Sequence, residues 1–142
     1  MKILEGDLLA VQSGTILHQV NCRGVVGGLA GALRKAHPGA FVDYFLLCEE
    51  YGARNLGTYR DGHANRALTV VHIFGQIEPG ANTILAAVQI ALHEFAISRV
   101  AQRPIYAPYG MGCGIGGGNW CDYQRALEDA IPDIVLVKLP RE

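Results

Sequence analysis

The chain has 142 residues, 50% of them hydrophobic and 18% charged, and its net charge is −1. This composition excludes intrinsic disorder, and the balanced charge argues against a basic face that neutralises nucleic-acid phosphates. No apolar run approaches the ~20 residues that a membrane helix needs, and the first residues lack the pattern of a secretory signal. We therefore expect one domain over residues 1–142, in the cytoplasm and without a membrane partner.

The cysteines and histidines show no metal-binding pattern. Cys22, Cys48, Cys113 and Cys121 form no C-x-x-C pair, and their spacing to the five histidines is not that of a zinc site. We predict reduced thiols, no metal site and no cofactor.

In chain order, the predicted elements alternate between strands and helices. Apolar and β-branched runs predict strands over 1–4, 15–20, 67–74, 105–108 and 134–139. Apolar residues at three- and four-residue spacing predict helices over 28–37, 41–50, 83–100 and 120–130. This alternation predicts an α/β fold, with a mostly parallel sheet covered on both faces.

Two clusters of glycine interrupt this pattern. Gly24, Gly27 and Gly28 form the first cluster, and six of the nine residues 110–118 form the second. Each cluster follows a predicted strand and precedes a predicted helix, where ligands bind in open α/β sheets. Main-chain N–H groups and a helix N-terminus at such a turn favour an anion. The clusters therefore predict a ligand with phosphates, the alternative being tight turns alone.

Two common nucleotide-binding motifs do not explain the second cluster. Residues 112–117 formally satisfy G-x-G-x-x-G, but only 25 residues follow them, too few for the rest of a dinucleotide-binding sheet. The G-K-[ST] triplet of an ATP-hydrolysing P-loop is missing from the sequence.

Three motifs together resemble the macrodomain family. They are G-D-L-L over residues 6–9, H-Q-V-N-C-R-G-V-V-G-G-L-A over 18–30, and P-Y-G-M-G-C-G-I-G-G-G-N-W over 108–120. The sequence is most similar to the small stand-alone phage and bacterial members that process ADP-ribose 1″-phosphate, which are related to terminal ADP-ribose glycohydrolases. The resemblance implies a three-layer α/β/α fold with a mixed, mostly parallel six-stranded sheet and an ADP-ribose cleft at the strand ends.

The resemblance also implies roles for individual residues. Asp7 would accept a hydrogen bond from the adenine amino group beside the Leu8 N–H, and Asn21 would bind the distal ribose. The residues implied along the phosphates and the distal ribose are Gly24, Val25, Val26 and Gly27. The residues implied to wrap the diphosphate with main-chain N–H groups are Met111, Gly112, Cys113, Gly114, Ile115 and Gly116.

The activity implied most concretely is hydrolysis of ADP-ribose 1″-phosphate or of a related ADP-ribosyl ester. Asn21 would hold the ribose, and His18 would be the general base. The lysine of glycohydrolase-type relatives falls at Gln76 and their acid near Gly116, so a covalent lysine mechanism is not expected. The alternative is a non-catalytic reader of ADP-ribose or of ADP-ribosylated protein, and another nucleotide messenger is a third possibility. In either case we expect a monomer whose partner is ADP-ribose or a derivative, including an ADP-ribosylated protein or nucleic-acid end.

Several of these residues also have a purely structural interpretation. Asp7 is a favoured helix N-cap, and Asn21 is a common turn residue through an Asx bond. His18 lies in a buried strand pattern, which is typical of a hydrogen-bonded core histidine. Cys113 precedes a helix N-terminus that would lower the pKa of its thiol, although packing is the simpler role.

Overall fold

The computed structural model describes residues 1–98 and 101–140. Six strands form one sheet. They are β1 (Lys2–Glu5), β2 (Gly14–Val20), β3 (Tyr59–His63), β4 (Leu68–Phe74), β5 (Ile105–Pro108) and β6 (Val135–Lys138). Their order across the sheet is β1-β6-β5-β2-β4-β3. All neighbouring strands are parallel except β3, which pairs antiparallel with β4.

Four α-helices connect the strands. They are α1 (Gly28–Ala36), α2 (Val42–Tyr51), α3 (Leu85–Ile97) and α4 (Trp120–Ala130). Short 3₁₀ helices at Leu8–Ala10, Pro38–Phe41 and Gly52–Asn55 complete the connections. No helix among the described residues is long and apolar enough to cross a membrane.

The hydrophobic core is divided by the sheet. Leu33 of α1 and Tyr44 of α2 pack with Ile16, Val20 and Phe74 on one face. Residues of α3 and α4 pack on the other face, as the contacts of Leu92 and Leu127 with Leu17, Val71 and Leu136 show. Alternate residues of the central strands therefore point to opposite layers. The predicted three-layer α/β/α fold with a mixed, mostly parallel sheet is confirmed.

Most predicted elements occur within two residues of their expected bounds, with one omission. The strand β3 was not predicted, because its sequence Y-R-D-G-H lacks an apolar run and lies at the edge of the sheet. The third helix begins at Leu85 rather than Thr83, because the backbone of Ile84, its N-cap residue, is extended. Residues 99–100, at the predicted end of that helix, lie outside the described residues.

Candidate functional site

The two glycine clusters lie side by side at the carboxyl edge of the sheet. The first loop, residues 21–27, follows β2, and the second loop, residues 109–119, follows β5. Strands β2 and β5 are parallel neighbours, so both loops leave the same edge. The helices that follow pack on opposite faces, α1 on one and α4 on the other. Ligands of open α/β sheets bind at such a switch point, and we refer to the space between the two loops as the crevice.

One exposed side chain bridges the crevice. Ile115 of the second loop is 74% exposed. Its Cδ1 lies 3.7 Å from the position that a Cβ atom would take at Gly28, the first residue of α1. The two loops therefore approach each other closely enough for one ligand to touch both.

The first loop is held in shape by the side chain of Asn21. Its Nδ2 donates to the Val25 carbonyl at 2.7 Å, and its Oδ1 accepts from the N–H groups of Arg23 at 2.9 Å and Val25 at 3.3 Å. The Tyr44 hydroxyl donates to the Asn21 carbonyl at 2.9 Å. The Asx interpretation of Asn21 therefore describes this structure, in which the side-chain amide bonds the backbone of Arg23 and Val25 in its own loop.

The N-terminus of α1 faces the end of the first loop without a side-chain cap. Gly27 is the N-cap residue, has extended backbone angles and offers no side chain to bond the first N–H groups. The N–H groups of Val26, Gly27 and Gly28 donate to no partner within residues 1–98 and 101–140. Unsatisfied N–H groups and the helix dipole make this end electropositive.

The N–H groups of the second loop are of two kinds, those hydrogen-bonded within the protein and those without a partner. Met111 donates to the Pro108 carbonyl at 3.0 Å and Cys113 to the Gly110 carbonyl at 2.9 Å, so these two predicted donors are already used. The Met111 side chain is buried in the core. Six N–H groups of this loop donate to no partner in the described part of the chain, those of Gly110, Gly112, Gly114, Ile115, Gly116 and Asn119.

Asp7 and Leu8 lie at the same edge of the sheet, after β1. The Asp7 carboxylate accepts from the Leu9 N–H at 2.9 Å and caps the helix Leu8–Ala10, as the structural interpretation expects. The Asp7 side chain is exposed, while Leu8 is buried. This short helix contacts α1 and β5, which brings Asp7 to the side of the sheet that carries the loops.

His18 lies in the core rather than at the surface of the crevice. It is 1% exposed, and its Nε2 is 2.8 Å from Nδ1 of His72 on β4. Burial, with a smaller contribution from His72, lowers the pKa of His18 well below its ordinary value. The arrangement favours the core interpretation of His18 over a general base.

Gln76 is a buried polar residue whose structural role its local sequence does not indicate. It follows β4 and is 8% exposed. Its Oε1 accepts from Gln19 Nε2 at 2.8 Å and lies 3.3 Å from the position of an added Cβ at Gly116. Gln76 and Gly116, the positions at which glycohydrolase-type relatives are expected to have a lysine and an acid, therefore face each other. In this protein the first position has an amide and the second has no side chain.

The crevice has little side-chain charge. Arg23 is the charged residue of the first loop, and its Nε donates to Glu78 at 2.8 Å. The prediction that the helix N-terminus lowers the pKa of Cys113 is wrong, because burial and then Asp122 raise it. No group of three or more metal-ligating side chains occurs among the described residues.

A separate surface groove of about 400 Å³ lies away from the two loops. Its lining includes His63, Asn65 and Arg66, which surround the turn between β3 and β4, together with Thr69 and Gln102. None of the predicted ligand-binding residues lines this groove, so it is not the predicted site.

No family model and no curated protein matches the chain, whereas several solved structures are similar to it. The macrodomain of Mycobacterium tuberculosis DarG is 23% identical, with a TM-score of 0.79 over 99% of this chain and 98% of that one. A macrodomain protein from Streptomyces coelicolor is 19% identical, with a TM-score of 0.79 over 99% of both chains. Thermosipho africanus DarTG, solved with ADP-ribose, is 16% identical, with a TM-score of 0.76 over 99% of this chain and 42% of that one. The chain therefore has the macrodomain fold.

Proposed function

We propose that this protein binds ADP-ribose in the crevice between its two glycine-rich loops. The observation that carries the proposal is the set of unpartnered main-chain N–H groups on both loops, next to the uncapped N-terminus of α1. These donors suit a diphosphate, which presents several acceptor oxygens and negative charge. Their location at the switch point of the sheet is where the ligands of such folds bind.

The position of the remaining predicted residues supports the same ligand. Asp7 is exposed beyond β1 and has a carboxylate oxygen available for the adenine amino group. Asn21 and the first loop would lie along the distal ribose, while the second loop would wrap the diphosphate. The likeness to a DarTG structure that holds ADP-ribose supports this choice of ligand.

We favour binding without cleavage over hydrolysis of ADP-ribose 1″-phosphate. His18, the general base that the resemblance implies, is enclosed in the core, and the Asn21 amide is bonded within its own loop. Hydrolysis would then depend on a loop-bound water attacking phosphorus while the phosphorus–oxygen bond to the ribose breaks, with N–H groups stabilising the charge that develops. Positioning alone predicts slow turnover.

Calorimetry with ADP-ribose, ADP, ATP and NAD tests the binding proposal. Gly27 and Gly114 are informative because an added Cβ at either position meets no atom within 4 Å of the free protein. Gly27→Ala and Gly114→Ala should therefore fold normally but weaken ADP-ribose binding at least tenfold, since the methyl group would occupy phosphate space. Gly39→Ala, distant from both loops, is the matched control. Absence of ADP-ribose binding to the wild type would refute the proposal.

Phosphate release separates the two activities. We expect wild-type protein at high concentration to release no phosphate from ADP-ribose 1″-phosphate above the buffer rate, while still binding ADP-ribose. Release that disappears in Asn21→Ala would instead support the phosphatase alternative.

A further inference from the structure

We propose that Gln76 is a positioning residue that fixes the spacing of the two loops and so selects a diphosphate over a single phosphate. The inference rests on the proposed function. Gln76 belongs to the linking segment, residues 75–84, which runs from the end of β4 to the start of α3. This segment is bonded to both loops.

The side chain of Gln76 determines the shape of the linking segment. Its Nε2 donates to the carbonyls of Glu78 at 2.8 Å and Gly80 at 2.9 Å, which closes the segment into a compact turn. Its Oε1 accepts from Gln19 Nε2, which also donates to Thr83 Oγ1 at 2.8 Å. The buried Gln76 amide therefore bonds only the linking segment itself and Gln19, the β2 side chain that also bonds the segment at Thr83.

The linking segment holds the second loop through contacts at Gly116 and Gly117. The Thr83 N–H donates to the Gly116 carbonyl at 3.2 Å. An added Cβ at Gly117 would lie 3.0 Å from the Cβ of Ala81, so the two backbones are nearly in contact. Movement of the segment would therefore move the residues implied around the diphosphate.

The same segment holds the first loop on its other side. The Cys22 N–H donates to the Ile77 carbonyl at 3.0 Å. The next residue, Arg23, forms an ion pair with Glu78, with an Nη2–Oε1 distance of 2.6 Å. The Gln76 amide supports this side of the segment as well. Its Nε2 donates to the carbonyl of Glu78, the residue that pairs with Arg23, while its Oε1 accepts from Gln19.

This arrangement makes the spacing of the loops depend on one amide. ADP-ribose, whose diphosphate joins adenosine to the distal ribose, would touch both loops, so its affinity should depend on the distance between them. AMP carries one phosphate and is less sensitive. Met has a similar length and volume to Gln but makes none of its three hydrogen bonds, so Gln76→Met removes the bonds without opening a cavity.

The experiment compares Gln76→Met with Gln89→Met, a change at an exposed glutamine of α3. Calorimetry measures ADP-ribose and AMP binding to each variant, and thermal unfolding reports folding. We expect Gln76→Met to weaken ADP-ribose binding at least tenfold and AMP binding less than twofold, with no change in Gln89→Met. We also expect the amides of Cys22 and Thr83 to exchange hydrogen at least fivefold faster in Gln76→Met.

The possible failures are distinguishable. If the wild type does not bind ADP-ribose, the proposed function fails and this inference fails with it. If the wild type binds and Gln76→Met binds ADP-ribose within twofold of it, the positioning role is wrong while the function stands. Equal loss of ADP-ribose and AMP in Gln76→Met, with a lower unfolding temperature, would show general destabilisation and also overturn the inference.

Discussion

His18 and His72 form a buried hydrogen bond whose direction can be deduced from their neighbours. His72 Nε2 is 2.7 Å from the Ala40 carbonyl, which can only accept, so this nitrogen carries the proton. His72 Nδ1 is then an acceptor in the neutral ring, and His18 Nε2 donates to it. His18 Nδ1 is left as a buried acceptor without a partner among the described residues. Burial lowers the pKa of both rings, which keeps both neutral near pH 7.

This pair predicts that the protein loses stability in mild acid. Burial lowers the pKa of His72 to about 4 and that of His18 in the same direction, whereas in the unfolded chain both are near 6.5. Between these values the unfolded state binds more protons, so stability is complete above about pH 6.5 and falls as pH decreases toward the folded pKa. For His72 alone, the free energy of unfolding should fall by about 2 kcal/mol between pH 7 and pH 5.

Urea unfolding at several pH values measures this dependence. The double variant His18→Met and His72→Met should have a flatter profile, because neither ring is left to titrate. His93→Gln, at an exposed histidine of α3, should retain the wild-type profile. A wild-type stability that is constant from pH 7 to pH 5 would contradict the deduced neutral pair.

Asn21→Ala should destabilise the fold as well as the ligand site. The change removes three hydrogen bonds within the first loop and leaves the Val25 carbonyl without its donor. We expect a loss of about 2–3 kcal/mol in the free energy of unfolding, measured with urea. Retained stability combined with lost ADP-ribose binding would indicate direct ligand contact alone.

Asp7 can be tested separately as a cap and as a ligand group. Asp7→Ala should lower stability by about 0.5–1 kcal/mol, because the Leu9 N–H loses its acceptor. It should also weaken ADP-ribose binding by about 1–3 kcal/mol, through the lost charge-assisted bond to adenine. Asp7→Ser retains a capping oxygen, so it should preserve stability and lose affinity. Urea unfolding and calorimetry on both variants distinguish the two roles.

A change to alanine should lower stability at one glycine of the second loop and leave it unchanged at another. Gly112 has φ of +79°, and its added Cβ would lie 2.7 Å from Gln19 Oε1 and 2.8 Å from the Tyr123 ring. Gly112→Ala should therefore cost about 1–3 kcal/mol of stability. Gly114 has open space at its Cβ position, so Gly114→Ala should leave the unfolding midpoint unchanged. A comparable loss in both variants would show that the loop is packed differently.

The order of strands and helices was predictable because buried strands and amphipathic helices differ in apolar period. The strand 68–74 is rich in apolar and β-branched residues, and Trp120–Ala130 shows a helical stripe. β3 was not predictable in this way, because its pairing with β4 supplies the stability that its polar sequence does not. The apolar spacing predicts Phe41 in the second helix, but Phe41 lies in the 3₁₀ turn that Pro38 begins.

For the candidate site, glycine spacing predicted where the loops lie but not how they are supported. Asn21 was expected to have either a ligand role or a turn role, and only its bonds to Arg23 and Val25 reveal the turn. The partner of His18 is 54 residues away, beyond any local pattern. Gln76 was noted for the lysine it replaces, whereas its bonds depend on how residues 75–84 fold back.

The unpartnered donors at the crevice belong to the main chain, and this affects how the protein tolerates mutation. Deleting a side chain cannot remove a peptide N–H, so a conventional alanine scan across these loops would overlook its principal contacts. The surface could drift widely in sequence and still present the same polar atoms, provided that the residues at tightly packed turns stay small. The substitutions that should impair the site are therefore those that enlarge a tightly packed glycine and those that remove a side-chain amide supporting a turn.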